Sequence, residues 1–220
     1  MREPMEQIVP LYQRKTGVRI ETHYGASETL LLELQRSKGD VFLPADESYI
    51  ADAQRKGLLR DVLPLAQMNV TLVVSPKSDK SITHWDDLFR EQTSIAIADP
   101  NAAAVSRRTH AHLGEEKWRE LAGKSTALGP VTDVANAVKL GTVDAGIIWD
   151  SMVASPNYRM LKIVRIKELE GITATIKIGV VKESADYDRA LAFTRFIVEK
   201  CPEIWEKHGF ALIKTESNYP

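Results

Sequence analysis

The stretch Gly129-Pro130-Val131-Thr132-Asp133-Val134-Ala135-Asn136-Ala137-Val138-Lys139-Leu140-Gly141-Thr142-Val143-Asp144-Ala145-Gly146-Ile147-Ile148-Trp149-Asp150 decides the fold class. Val131, Val134, Ala135 and Val138 recur at helical spacing, and Gly141 is the residue type that closes a helix. Ala145–Trp149 follows as an unbroken apolar run, the pattern of a strand buried on both faces. A helix delivering the chain into a buried strand is half of an α/β unit. Outward from it the alternation continues. Thr93–Ala98 reads as a buried strand, Asp99-Pro100-Asn101 as a turn into a helix from about Val105 to Leu113, Glu115–Ala122 as a second helix, and Thr126–Leu128 as a short strand. Towards the N-terminus a helix opens at Pro4, is expected to be kinked or shortened at Pro10, and has Gly17 as its C-cap. Val18–Tyr24 is expected to be a strand, Glu28–Ser37 a helix with Ser27 as its cap, Asp40–Leu43 a strand, and Pro44–Lys56 a helix. Asn69–Ser75 reads as a strand and Ser81–Arg90 as a helix. Leu161–Val164 and Thr173–Val181 are expected strands, followed by helices Tyr187–Lys200 and Ile204–Gly209. This order implies α/β architecture with largely parallel sheets. Without a repeat or a Gly/Ser-rich linker, any division into lobes has to pass through strands.

Composition narrows the function. The 220 residues include 29 Lys+Arg and 30 Asp+Glu, a formal charge of −1, which removes the global electrostatic case for binding nucleic acid or a membrane surface. A chain of this size buries about 70 % of its unfolded surface, enough for a proper core. No apolar run approaches the ~18 residues that span a bilayer. The chain opens Met1-Arg2-Glu3-Pro4-Met5 and goes straight into a helix pattern, so no signal peptide is read and the product as written stays in the cytoplasm.

Nothing nominates a catalyst. His110 and His112 are two apart on an expected helix and point to different faces, which does not suit a shared metal. Cys201, the single cysteine, precedes Pro202 with no basic neighbour placed to activate it. Asp46-Glu47 and Asp86-Asp87 sit in first helical turns, where the helix dipole favours acids. A different pattern recurs: Gly25-Ala26-Ser27, Ala104-Val105-Ser106 and Pro130-Val131-Thr132 each lead into a helix start. Such starts expose unpaired N–H groups and a partial charge of about +0.5, and several converging starts hold an anion without Lys or Arg. Each start taken alone is also satisfied by ordinary capping.

Tyr24-Gly25-Ala26-Ser27-Glu28-Thr29-Leu30, then Gly39-Asp40-Val41-Phe42-Leu43-Pro44-Ala45-Asp46, resembles the front half of the periplasmic molybdate/tungstate-binding proteins, substrate-binding components of ABC importers. Ala98-Asp99-Pro100-Asn101 resembles their G-D-P-E turn, Val143–Trp149 their A-D-A-G-I-V-Y strand, and Glu206-Lys207-His208-Gly209-Phe210 their F-x-K-Y-G-F ending. The motifs run in order over about nine tenths of the chain.

The resemblance implies two α/β lobes of the type II periplasmic-binding-protein fold, each a mostly parallel sheet flanked by helices. Residues 1–70 and 176–220 would form lobe I and 71–175 lobe II, joined by two crossing strands, with ligand between them. It implies a binding protein without enzymatic activity or cofactor, located in the periplasm or outside the cell. Its partners would be molybdate or tungstate and a membrane permease. By position Ser27 matches a ligand serine, Val105 and Val131 match N–H donors, Ser106 adjoins the former, and Trp149 stands where the family has a tyrosine. Trp149 donates through its indole but cannot accept. Family members also begin with a strand and a small-residue turn before the first helix, and Met1 falls just after that point. The chain is therefore expected to be a monomer, or a dimer if a second copy fills the strand's place. Arg2 could contribute a charged clamp.

The rival expectations are a ligand-sensing domain of the same fold, an enzyme on the same scaffold, and a binder of another ligand. That last ligand would be a sulfate-like anion or a metal cation held through Asp150, Glu28 or Asp46.

Overall fold

The computed structural model describes residues 1–25, 27–36, 39–101 and 103–213. Its chain divides into two compact units, Met1–Gln67 together with Ala174 onward, and Met68–Thr173. The elements in order are α1 (Arg2–Thr16), α2 (Ser27–Leu34), β1 (Val41–Phe42), α3 (Glu47–Arg55), β2 (Leu59–Val74), β3 (Ile95–Ala98), α4 (Ala104–Lys124), β4 (Ser125–Leu128), α5 (Val131–Leu140), β5 (Ala145–Trp149), β6 (Lys162–Val164), β7 (Thr173–Val181), α6 (Tyr187–Lys200), α7 (Pro202–Lys207) and β8 (Ala211–Leu212). Strand β2 passes from the first unit into the second, and β7 begins at the last residue of the second and runs into the first.

In the first unit β1 lies antiparallel to β7 (Val41↔Val180, Phe42↔Gly179), and β8 lies antiparallel to β2 (Ala66↔Leu212, Gln67↔Ala211). Leu31, Phe42, Ile50, Ala53, Leu59 and Val181 form one buried cluster. Tyr12 of α1 packs against Phe193 and Phe196 of α6 at 4.8 and 5.0 Å. Asp46 caps α3 by accepting from Ser48 N–H at 2.8 Å. Three expectations change here. Val18–Tyr24 is extended and mostly exposed but is not a strand. Its anchors are side chains, Val18 N–H donating to Thr16 Oγ1 and Ile20 N–H to Gln13 Oε1, and it has no ladder partner among the described residues. Pro10 does not end α1, which runs on to Thr16. The helix after Ser27 is described only to Leu34; Ser37 lies outside the described residues, and so does the middle residue of Gly25-Ala26-Ser27.

In the second unit β3 is parallel to both β4 and β5, and β2 is antiparallel to β5 and β6. The expected pair of helices at 105–122 is found as α4, broken at Gly114, whose φ of 76° and ψ of 171° are non-helical. The expected helix at 81–90 is only a 3-10 segment, Trp85–Phe89. Asp87 there accepts from Thr83 and His84 N–H, so it serves to cap the turn. Gly146 lets α5 lie directly on β5: a Cβ at this position would meet Val134 Cγ1 at 2.7 Å and Val138 Cγ2 at 2.8 Å. At the start of β5 the Asp144 carboxylate accepts from Ser78 Oγ (2.6 Å), Ser94 N–H (2.9 Å) and Ser94 Oγ (2.7 Å). Burial pushes this carboxyl up, but the Ser78 and Ser94 hydrogen bonds and nearby Lys80 outweigh it and hold it below the ordinary carboxylate range.

Two outcomes are expected. Gly146→Ala overpacks the α5–β5 contact by about 1–3 kcal/mol, which lowers Tm by several degrees at about 2–4 °C per kcal/mol. An unchanged melting curve would show that α5 shifts freely. Because Asp144 titrates lower in the folded state, its contribution is complete above the unfolded value of about 3.9 and is lost as pH falls through the folded value. Asp144→Asn should therefore flatten the fall of Tm with pH on the acid side of about pH 4.

Candidate functional site

The parallel strands of the second unit end level: Ala98 pairs with Leu128, and Asp99 N–H donates to the carbonyls of Leu128 (2.6 Å) and Gly129 (3.2 Å). The chain leaves both strands at one edge, and each exit leads into a helix. Asn101 N–H donates to Asp99 Oδ1, and Ala103 N–H to Asp99 O, which turns the first exit into α4. Neither helix is capped by a side chain: the cap position is Ala103 in α4 and Pro130 in α5. First-turn N–H groups have no acceptor within their own helix, and those of Val105, Ser106 and Val131 have no partner among the described residues. Asp133 N–H is taken by Pro130 O at 2.9 Å. Open ends of adjacent parallel strands are where α/β sheets bind ligands.

Val105 is fully buried and Ser106 is 1 % exposed. Among the described residues the Ser106 hydroxyl has no hydrogen-bond partner, whereas Thr109, one turn on, returns its own hydroxyl to Val105 O at 2.8 Å. Beside an uncapped helix start, a hydroxyl without a protein partner can both donate to and accept from a ligand. Trp149 closes β5 at the same edge and is 7 % exposed, so most of its ring belongs to the core. Asp150 is not free for a metal: Oδ1 accepts from Asn69 N–H and Ser151 N–H, and Oδ2 from Asn69 Nδ2. Among the described residues no group of three or more His, Cys, Asp or Glu is placed to hold a metal ion.

One cation was missed. Arg107 donates from Nη1 to Pro100 O at 3.3 Å, which sets a guanidinium on the β3–α4 loop, so the edge is not devoid of Lys and Arg. The run Ser106-Arg107-Arg108 was the available signal.

The remaining two candidates belong to the first unit and line one cavity of about 1040 Å³ with Met1, Tyr24 and Gly25. Ser27 Oγ accepts from Ala45 N–H at 3.1 Å, leaving its proton for another acceptor. The Arg2 guanidinium lies 4.6 Å from the Tyr24 ring centroid, and its Nε is 3.8 Å from Glu6. Arg2 is thus already engaged, and mostly solvent-exposed.

A family model for bacterial extracellular solute-binding proteins matches residues 1–211. The chain belongs to this family. This solute-binding protein is 26 % identical over 204 residues to the molybdate-binding protein ModA of Mycobacterium tuberculosis, covering 89 % of this chain and 74 % of that protein. It is 25 % identical over 160 residues to a binding protein of Haemophilus influenzae, and the match spans 63 % of that relative's length and 69 % of this chain. Its fold is similar to that of the Azotobacter vinelandii periplasmic molybdate-binding protein, with a TM-score of 0.72, 17 % identity and coverage of 96 % of this chain and 95 % of that one. It is also similar in fold to a ferric binding protein from Campylobacter jejuni, with a TM-score of 0.79, 16 % identity and coverage of 97 % and 84 %.

The unpaired hydroxyl gives a direct test in this solute-binding protein without ligand. Ser106→Ala removes no protein hydrogen bond, so the ligand-free Tm should hold or rise. A drop equal to the loss of a helix cap, about 0.5–2 kcal/mol, would show that the hydroxyl has a structural partner.

Proposed function

We propose that this solute-binding protein is the ligand-capturing component of an ABC importer, that it works outside the cytoplasm, and that its ligand is a tetrahedral oxyanion, molybdate or tungstate. The observation that carries the reading is the pair of uncapped helix starts at the shared edge of β3 and β4, beside a Ser106 hydroxyl that has no partner among the described residues. The donors of the second unit are Val105 N–H, Ser106 N–H and Oγ, Val131 N–H and the Trp149 indole. The family resemblance matches Ser27 of the first unit to a ligand serine, and relatives named for molybdate supply the ligand class. Hydrogen bonds to a charged group contribute ~1.5–3 kcal/mol each. Five of them give about 7–15 kcal/mol gross, against an association cost of at least ~4 kcal/mol. Affinity near micromolar, about −8 kcal/mol, is therefore attainable with uncharged donors. The closed, loaded form would be handed to a membrane permease.

A ferric-ion reading has support from the fold neighbours that bind iron. It is the weaker one, since both Asp150 oxygens are committed to Asn69 and Ser151. Thermal unfolding with molybdate, tungstate, sulfate, phosphate or ferric citrate separates the two. At ~1,000 times Kd a ligand adds about 4 kcal/mol, a Tm rise on the order of 10 °C for this length. Molybdate and tungstate should produce it, and phosphate little. A shift with ferric citrate alone would replace the oxyanion reading with the metal one. Calorimetry on Ser106→Ala and Ser27→Ala should each show binding weaker by about 1.5–3 kcal/mol; unchanged affinity removes that residue from the site.

A further inference from the structure

Asp150 was singled out by the sequence, and neither capture of an oxyanion nor metal binding uses it directly. Its placement has another consequence. The antiparallel ladder of β2 and β5 ends at the pair Val70↔Trp149, and at the next rung a side chain replaces the backbone. Asp150 Oδ1 accepts from Asn69 N–H at 2.8 Å and Oδ2 from Asn69 Nδ2 at 2.7 Å, while Ser151 N–H adds a third bond to Oδ1 at 2.8 Å. An ionised carboxylate is acceptor-only and so matches three N–H donors, where an amide would set its own NH₂ against that of Asn69. Asn69 is the second residue of β2 inside the second unit, since the chain enters that unit at Met68. Val70 N–H donates to Ile172 O at 2.8 Å, and Ser151 Oγ lies 3.8 Å from Met68 Sδ, so the fastening is continuous across the entry.

We propose that Asp150 is a positioning residue: it clamps the crossing strand β2 to the ligand edge of β5, so that from Asn69 onward β2 moves as one piece with Trp149. Bending of the connection between the units is thereby confined to the unit-1 side of Asn69. The ligand consequence rests on the oxyanion reading above, because Trp149 and the edge it closes are held by the same carboxylate.

The test is native-state hydrogen exchange on the ligand-free protein, paired with molybdate affinity. Asp150→Asn should speed exchange at Asn69 and Val70 by about ten- to a hundredfold and weaken molybdate binding by about three- to thirtyfold. Asn69→Asp sets two carboxylates together and should do the same. The exchanged pair Asn69→Asp with Asp150→Asn recovers the geometry, with the new amide donating to the new carboxylate while its oxygen still accepts the backbone N–H. Both readouts should return towards wild type. Unchanged exchange in Asp150→Asn, or no rescue in the exchanged pair, overturns the clamp. Unchanged molybdate affinity alongside faster exchange overturns its positioning role. Wild-type protein that binds no molybdate overturns the oxyanion reading instead, and the clamp then stands or falls on exchange and rescue alone.

Discussion

The second unit depends on one constraint, the in-register parallel pairing of β3 with β4. Because Ala98 and Leu128 lie opposite each other, both strands discharge at the same edge, and the bifurcated bond from Asp99 N–H to Leu128 and Gly129 ties the two exits together. The starts of α4 and α5 inherit their placement from that rung. A slip of one residue would move one start by about 3.3 Å, beyond what a hydrogen bond tolerates. Gly146 completes the arrangement from the other side, since α5 can bring Val131 to the edge only by lying directly on β5. The donors are therefore set by the sheet, and the loops only complete them.

The carboxylates that flank β5 have a common role. Asp144 takes hydrogen bonds from Ser78 and Ser94 at its beginning, and Asp150 takes them from Asn69 and Ser151 at its end. Each carboxylate directs its lone pairs at the chain's own N–H and O–H groups. This matters for an anion reading, because a free carboxylate at a binding edge repels a dianion, whereas one already surrounded by donors presents a much smaller field. It also explains why acidic residues that look like metal ligands in the sequence are fasteners in the fold.

Legibility in the sequence followed the range of the interactions involved. Val131–Leu140, Ala145–Trp149, Thr173–Val181 and Tyr187–Lys200 were placed to the residue, because burial on both faces or one clean helical face writes itself into the local pattern. The break at Gly114 was legible for the same reason. Val18–Tyr24 has the alternation of a strand, but a strand exists only through its neighbour, and no window of sequence contains that neighbour. The first half of β2, Leu59–Met68, went unread because Asp61 and Pro64 interrupt its pattern and its ladder partners are far away in the chain. At the candidate site the helix starts were visible, yet the unpaired state of Ser106 was not. Whether a serine hydroxyl folds back on its own helix, as Thr109 does, or remains open is decided by rotamer and packing.

That open hydroxyl bears on selectivity. Backbone N–H groups only donate, so a site made of them suits a fully deprotonated tetrahedral dianion such as molybdate. A phosphate carrying a proton near neutral pH needs an acceptor, and leaving its O–H unmet costs about 1–3 kcal/mol, roughly a factor of ten or more in affinity. Ser106 is the exception among the second unit's donors, because a hydroxyl rotates to accept as readily as it donates. With no partner among the described residues, its rotor is uncommitted, and a phosphate proton could use it. In the proposed site the same residue would strengthen binding of any oxyanion and weaken discrimination against the protonated one. On the proposed oxyanion reading, discrimination would fall to the first-turn N–H groups of α4 and α5, which cannot accept at all, and the register of β3 with β4 that fixes them would govern selectivity as well as affinity.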